Sequence, residues 1–223
     1  MAKQEASTGV LDLQAEIRAE IERTKKTVAP SASNRISTNG KKFTLPNGQS
    51  STGPLLVVVL DHRNINRYYT KAYDPNNPAG PDCFAIAKEF ANMSPENHES
   101  VASPQATACD GCPRNEWGSA AQGKGKACRN MVRLALGQVD GEDGDILTLE
   151  VPPTAIKHWT QFVNDLSNIG RVPAQVVCEI AFDDSKAFPC PTFKAVKEHD
   201  EIERFWAMRE KAQSLLDQEP AAA

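Results

Sequence analysis

No apolar run in the 223-residue chain approaches the ~18 consecutive residues that a membrane-spanning helix needs; the longest is Leu55–Leu60. A helical membrane span is therefore not expected. Residues Met1–Gly9 are polar and lack the apolar stretch of a secretory signal, so the expected location is cytoplasmic. In a reducing compartment, six cysteines read as metal ligands or buried thiols rather than disulfides. There is no internal repeat. The four histidines, His62, His98, His158 and His199, are scattered, and none has a Ser or Cys nucleophile signature beside it. His158, next to Trp159 in a helical pattern, reads as a surface or boundary residue. Gly118–Lys124 (GSAAQGK) matches most of a phosphate-binding P-loop. However, Gly125 stands where the magnesium-binding Ser/Thr is required, and no strand precedes it. A zinc deaminase needs His-x-Glu upstream of Pro-Cys-x-x-Cys; here His199 and Glu201 come afterwards and Ala108 replaces the proline. The expectation is a protein that is not an enzyme.

What is present supports a folded core: 40% of residues are hydrophobic and 24% charged, with a net charge of −4. The charge is unevenly spread. Residues 140–223 hold 8 Lys/Arg against 16 Asp/Glu, whereas Gly111–Ala135 holds Arg114, Lys124, Lys126, Arg129 and Arg133 against Glu116 alone. A basic centre can bind a polyanion despite the overall sign. Val10–Val28 is expected to be a helix with a narrow Leu13/Ile17/Ile21 stripe, followed by a linker, so residues 1–34 read as a docking helix and its tether.

From Ile36 onward β signals dominate. Asn39-Gly40 predicts a hairpin between Ile36 and Phe43, and Asn47-Gly48 a second turn. Leu55–Leu60 suits a strand buried on both faces, and a further extended segment runs from Arg63 to Tyr73. Asn130–Leu136 reads as helical. A turn at Gly141–Gly144 leads into a strand over Ile146–Val151. Thr154 is positioned to cap a helix that Gly170 stops, and a hairpin through Val176–Phe182 and Pro191–Val196 precedes a helix over Asp200–Asp217. This content fits a mainly β domain over 35–217, either an OB-type barrel or a mixed α+β sheet, with a disordered tail at 218–223.

The stretch from Ala79 to Lys126 is rich in Gly, Pro and Ser and has little hydrophobic periodicity, so it needs a staple. Cys109-Asp110-Gly111-Cys112 supplies two thiols from one tight turn. Cys128 follows after fifteen residues, and Cys83 precedes by twenty-five. Four thiolates satisfy a tetrahedral zinc, so Cys83, Cys109, Cys112 and Cys128 are predicted to hold one structural zinc ion, with His98 as an alternative to Cys83. Such a site has no open position for substrate. Cys178 reads as a core residue. Cys190 is expected nearly opposite it across the hairpin, where a disulfide is conceivable.

His62–Tyr73 (HRNINRYYTKAY) interleaves cations with rings. If extended, Arg63, Arg67, Tyr69, Lys71 and Tyr73 share a face. Charge that tracks phosphates and rings that stack on unpaired bases are what a nucleic-acid single strand requires, although the tyrosines are equally readable as half-buried strand residues. Lys41 with Phe43 repeats the pattern, as do Arg114 with Trp117; Arg129 and Arg133 extend it.

The order ISTNGKKFTLPNG, apolar strand, NRYYTKAYDP, Pro81-Asp82-Cys83, CDGCPRNEWGS, GKGKAC, RLAL and LEVPPTAIKHWTQFVNDL resembles the zinc-containing single-stranded-DNA-binding proteins of tailed bacteriophages, over roughly Ile36 to Lys211. The resemblance implies an OB-fold core with a zinc loop inserted at about 79–128, and a non-catalytic role in phage DNA replication or recombination inside the infected host. Phage or host replication and recombination proteins would then be partners beside single-stranded DNA. In plan the chain is similar to the T4-type helix-destabilising protein, by architecture only, since that protein uses a His ligand and a different spacing. The acidic tail common in such proteins is replaced here by Asp217-Gln-Glu219-Pro-Ala-Ala-Ala. The other reading is a zinc-stapled protein-interaction module that docks, or self-associates, through residues 10–28.

Overall fold

The computed structural model describes residues 34–72, 74, 76, 79–139 and 145–220. The chain divides into Met1–Asn34 and a unit spanning Arg35–Ala223. The helix expected at 10–28, most of its linker, Tyr73, the turn at 141–144 and the end of the tail lie outside the described residues.

The unit from Arg35 is mainly β. Two two-residue strands, β1 (Phe43–Thr44) and β2 (Ser50–Ser51), form a small antiparallel ribbon. The main sheet has six antiparallel strands: β3 (Leu55–Tyr68), β4 (Cys83–Ala87), β5 (Arg129–Gln138), β6 (Ile146–Val151), β7 (Val176–Phe182) and β8 (Pro191–Glu198). Their order is β6-β5-β3-β7-β8, with β4 also pairing β3. The first half of β3 pairs with β7 through Leu55↔Ile180 and its neighbours. The second half pairs with β4 from Asn64↔Ala87 to Tyr68↔Cys83. The sheet does not close into a barrel. No described helix is long and apolar enough to cross a membrane.

β3 is enclosed because its sequence is apolar on both faces. Val57 and Val59 point to one side, where helix α1 (Ile156–Asn168) lays down Trp159, Phe162 and Leu166. Val58 and Leu60 point to the other, where helix α2 (Ile202–Leu216) supplies Phe205, Met208, Ala212 and Leu216 at three- and four-residue spacing. Each fully buried side chain of this kind contributes about 1.5–3 kcal/mol of transfer free energy. A register shift between Val59 and Asp61 separates this apolar half from the rest of the strand.

Several local expectations are corrected. Asn130–Leu136 is not helical; it belongs to β5, whose pairing with both β3 and β6 overrides the helix-forming residues. Val132, Leu134 and Leu136 face α1 and Ala135 faces α2, so the run alternates after all. Gly137 is required there, because a Cβ would lie 2.8 Å from the Phe205 ring. The first turn is a short 3-10 segment over Asn39–Lys41. Its positive φ values fall on Gly40 (67°) and Lys41 (54°), one residue later than an Asn-Gly type I′ turn would put them. Arg63–Tyr68 is not a separate strand but the second half of β3, and Tyr69–Lys71 lie beyond the strand's end. Thr154 does not cap α1. A 3-10 turn over Pro153–Ala155 leads in, while Gly170 (φ 70°) does terminate the helix, its N–H bonding to the Ser167 carbonyl.

Candidate functional site

Two regions collect the chemistry-bearing residues: the loop between β4 and β5, and the loop joining β7 to β8. In the first, Cys83 opens β4 opposite Tyr68, and Cys128 immediately precedes β5. Cys109 and Cys112 flank a tight turn whose Gly111 has φ 69°, a conformation that disfavours any residue with a Cβ. The backbone holds the turn in place: the Cys109 N–H donates to Met93 O (2.9 Å), Asn115 N–H to Cys112 O (2.8 Å) and Cys128 N–H to Arg114 O (2.8 Å). The Asn115 amide donates to Cys109 O (3.1 Å) and accepts from Asn130 (2.8 Å).

All four thiols are buried and line one cavity of about 20 Å³, room for about one water molecule. Burial, and then the neighbouring cysteines, push the Cys128 thiol up to about 12. Burial likewise raises Cys83 and Cys109, each also influenced by the thiols around it. Asn66 lines the same cavity close to Cys109, yet its buried Nδ2 makes no hydrogen bond of ordinary length. The sulfurs are not drawn together to ligand spacing, since no three of them lie within 4.8 Å of one another. His98 does not line this cavity. Its Nε2 accepts the Ile86 N–H at 3.0 Å, so the alternative to Cys83 is not supported.

In the second region, His158, Asp183 and Cys190 bring one ligand atom each within 4.8 Å of one another and could hold a metal ion. The sequence reading missed this trio. By sequence His158 reads as a boundary residue and Cys190 as lying opposite Cys178, but the register pairs Cys178 with Ala195 and leaves Cys190 just before β8. Both cysteines are free. A disulfide between them is therefore not formed.

The residues expected to line a nucleic-acid track divide sharply. Arg63, Arg67 and Arg133 are buried and ion-paired rather than open. Arg63 holds Asp217 (Nε–Oδ1 2.7 Å) and Asp61 (3.4 Å). Arg67 clasps both carboxylate oxygens of Glu150. Arg133 reaches Glu150 at 3.3 Å and donates to the Leu216 and Gln218 carbonyls at 3.0 and 2.6 Å. Arg35 is a third cation on Glu150, at 2.9 Å. Burial alone would raise the Glu150 pKa, but Arg67, Arg35 and Arg133 together outweigh it and hold the carboxyl below its usual range. Phe43 is core, stacked on Phe182 with centroids 4.3 Å apart. The Lys41 ammonium is engaged by the Asp183 and Lys186 carbonyls.

The remaining described candidates lie at or near the surface. Trp117 is 80% exposed, with the Lys126 ammonium 5.8 Å from its ring centroid. Arg114 is exposed and covers the Tyr68 ring at 5.3 Å. Arg129 and Lys71 are exposed and Tyr69 is half-buried, directly after the Tyr68 that Arg114 covers. No protein-family model, curated protein or solved structure matches the chain.

Proposed function

We propose that the chain is a non-catalytic single-stranded-DNA-binding protein whose cysteine loop, folded around one zinc ion, carries the binding surface. The observation that carries this reading is the pairing of rings with cations on the cysteine loop: the exposed Trp117 with Lys126, and the exposed Arg114 over the buried Tyr68 ring, with Arg129, Lys71 and Tyr69 nearby in the chain. A large ring left in water beside cations suits an unpaired base and its phosphate, whereas duplex DNA hides the base faces. This surface is smaller than the sequence suggested, because Arg63, Arg67, Arg133 and Phe43 are withdrawn into the core.

The zinc reading is supported by the donor set. Four buried cysteines line one small cavity, and the orphaned Asn66 Nδ2 is a donor suited to a thiolate sulfur. Cys83, Cys109, Cys112 and Cys128 would hold the ion. A four-sulfur site supplies folding energy rather than catalysis, which a segment so poor in apolar contacts needs. An OB-type barrel remains the architecture implied by the resemblance; the open sheet supports only the broader mainly β class.

The test is a fluorescence-anisotropy titration with labelled oligo-dT and duplex DNA at several salt concentrations, alongside elemental analysis of the protein. The expected result is tighter, salt-sensitive binding to oligo-dT. Equal affinity for the two DNAs at moderate salt overturns the DNA reading. Zinc content near zero overturns the metal reading.

A further inference from the structure

We infer that His158, Asp183 and Cys190 form a second metal centre, suited to a borderline divalent ion such as zinc, that ties the β7–β8 loop to the first turn of α1. This inference does not rest on the four-cysteine reading, since it involves none of the same residues.

The three donors come from three separate segments. His158 is the third residue of α1, Asp183 directly follows β7, and Cys190 directly precedes β8. Convergence of imidazole, carboxylate and thiol to within 4.8 Å is not a by-product of one helix face or one acidic loop. The donor set also selects the ion: calcium and magnesium prefer all-oxygen sites, whereas a mixed N/S/O set is that of zinc. Three protein ligands leave a fourth position, which water can fill because His158 and Asp183 are half-buried rather than sealed.

Of the three donors, His158 is the one that ordinary packing leaves unsatisfied. The His158 Nε2 is buried without a hydrogen-bond partner, an arrangement that is costly unless something else satisfies the nitrogen. Asp183 Oδ1 accepts both the Ser185 hydroxyl (2.6 Å) and the Ser185 N–H (2.9 Å), which fixes the carboxylate in place. Cys190 is 1% exposed, and its Sγ lies 3.7 Å from the Thr154 carbonyl, one turn before His158. A buried nucleophile is unreachable for substrate, which argues against a Cys–His–Asp catalytic triad. Lys41 does not neutralise the site, since its ammonium sits on the Asp183 and Lys186 backbone carbonyls and, at 3.8 Å, on Asp184.

The experiment titrates full-length, metal-stripped protein with Co2+ under reducing conditions and follows stoichiometry and absorption. Two equivalents are expected. One gives intense sulfur-to-cobalt charge transfer and is lost in Cys112→Ser. The other gives a weaker band, because one sulfur replaces four, and is lost in His158→Ala. Asp183→Asn keeps the Ser185 hydrogen bonds within reach and leaves the buried residues untouched, so it guards against misfolding. It should weaken the second equivalent by more than the roughly 10–100-fold that loss of a supporting hydrogen bond produces. If His158→Ala and Asp183→Asn both retain wild-type stoichiometry and affinity, the second centre does not exist. If Cys112→Ser loses nothing while His158→Ala loses one equivalent, this inference stands and the four-cysteine reading fails.

Discussion

Both halves of β3 bury most of their side chains, but by opposite means. From Val57 to Leu60 every side chain is apolar and at most 3% exposed, and the enclosure is helix packing on both faces. From Asp61 to Tyr68 the strand carries Asp61, Arg63 and Arg67, all under 10% exposed, and the enclosure is a chain of ion pairs. Asp217 holds Arg63, and Glu150 holds Arg67, Arg133 and Arg35. Asp61 belongs to the same system: burial would raise its pKa, but Lys88 and Arg209 keep the carboxyl below its usual range. The difference matters because the two halves should fail under different conditions. Apolar burial is insensitive to pH, whereas a buried charge depends on the ionisation of its partner.

The largest expected effect comes from removing the acid at the centre of the ionic half. Glu150→Ala leaves Arg67 and Arg133 buried without a counter-charge, which should cost about 3–5 kcal/mol in chemical denaturation. A cavity in the apolar half is the matched perturbation. Leu60→Ala should cost about 2–5 kcal/mol, depending on how far α2 settles into the space. If Glu150→Ala proves milder than Leu60→Ala by several kcal/mol, water reaches the arginines and the ionic half is less closed than its burial indicates.

Acid sharpens the same contrast. The Glu150 and Asp61 carboxyls are held below their ordinary values in the folded chain. Their contribution is therefore fully present above the unfolded values, near pH 4, and disappears as the pH falls through the folded values. Wild-type stability should decline across that acid range, and Glu150→Gln should flatten part of the decline. Leu60→Ala should lower the whole curve without changing its slope. An unchanged acid limb in Glu150→Gln would show that the ionic half does not set the acid limit.

This contrast also explains which parts of the molecule could be read from its residues. The apolar half of β3, the two helices and the β7–β8 hairpin announced themselves through period and run length, because burial against apolar neighbours leaves its mark in the element's own sequence. The ionic half did not. Arg63 and Arg67 look like surface cations until Asp217 and Glu150, over eighty residues away, are placed against them. β5 was misread for a related reason, since its conformation is set by strands on either side rather than by its own propensities. The spacing of Cys83, Cys109, Cys112 and Cys128 pointed to a shared neighbourhood, and the four do line one cavity, although no three of their sulfurs come within 4.8 Å of one another. The His158/Asp183/Cys190 trio was not, because its members become neighbours only when α1 folds over the hairpin; Cys190 beside the turn residues Asp183–Ser185 was the nearest available hint.

A smaller effect, confined to binding, separates the exposed ring from the enclosed ones. Trp117→Ala should leave the denaturation curve nearly unchanged, because the ring is mostly in water. On the proposed function it should weaken oligo-dT binding by about 1–3 kcal/mol with little change in salt dependence. A large loss of stability with intact binding would place Trp117 in the packing of the cysteine loop rather than on a DNA surface.

The finest test uses two arginines that are direct cross-strand partners. Arg67 on β3 pairs with Arg129 on β5, yet Arg67 is buried against Glu150 while Arg129 is exposed. Their alanine variants should therefore exchange phenotypes. Arg67→Ala belongs to the ionic half and should lower stability; any loss of DNA affinity should follow from that and be recovered at lower temperature. Arg129→Ala should melt like the wild type and reduce the slope of log affinity against log salt by roughly 0.7, the value for one phosphate contact on a single strand. Measuring both variants by thermal denaturation and by anisotropy at four or more salt concentrations gives the comparison its own control. A salt slope that falls in Arg67→Ala but not in Arg129→Ala would mean that the strand opens to admit DNA, and that its ionic half is a binding groove held shut by Glu150.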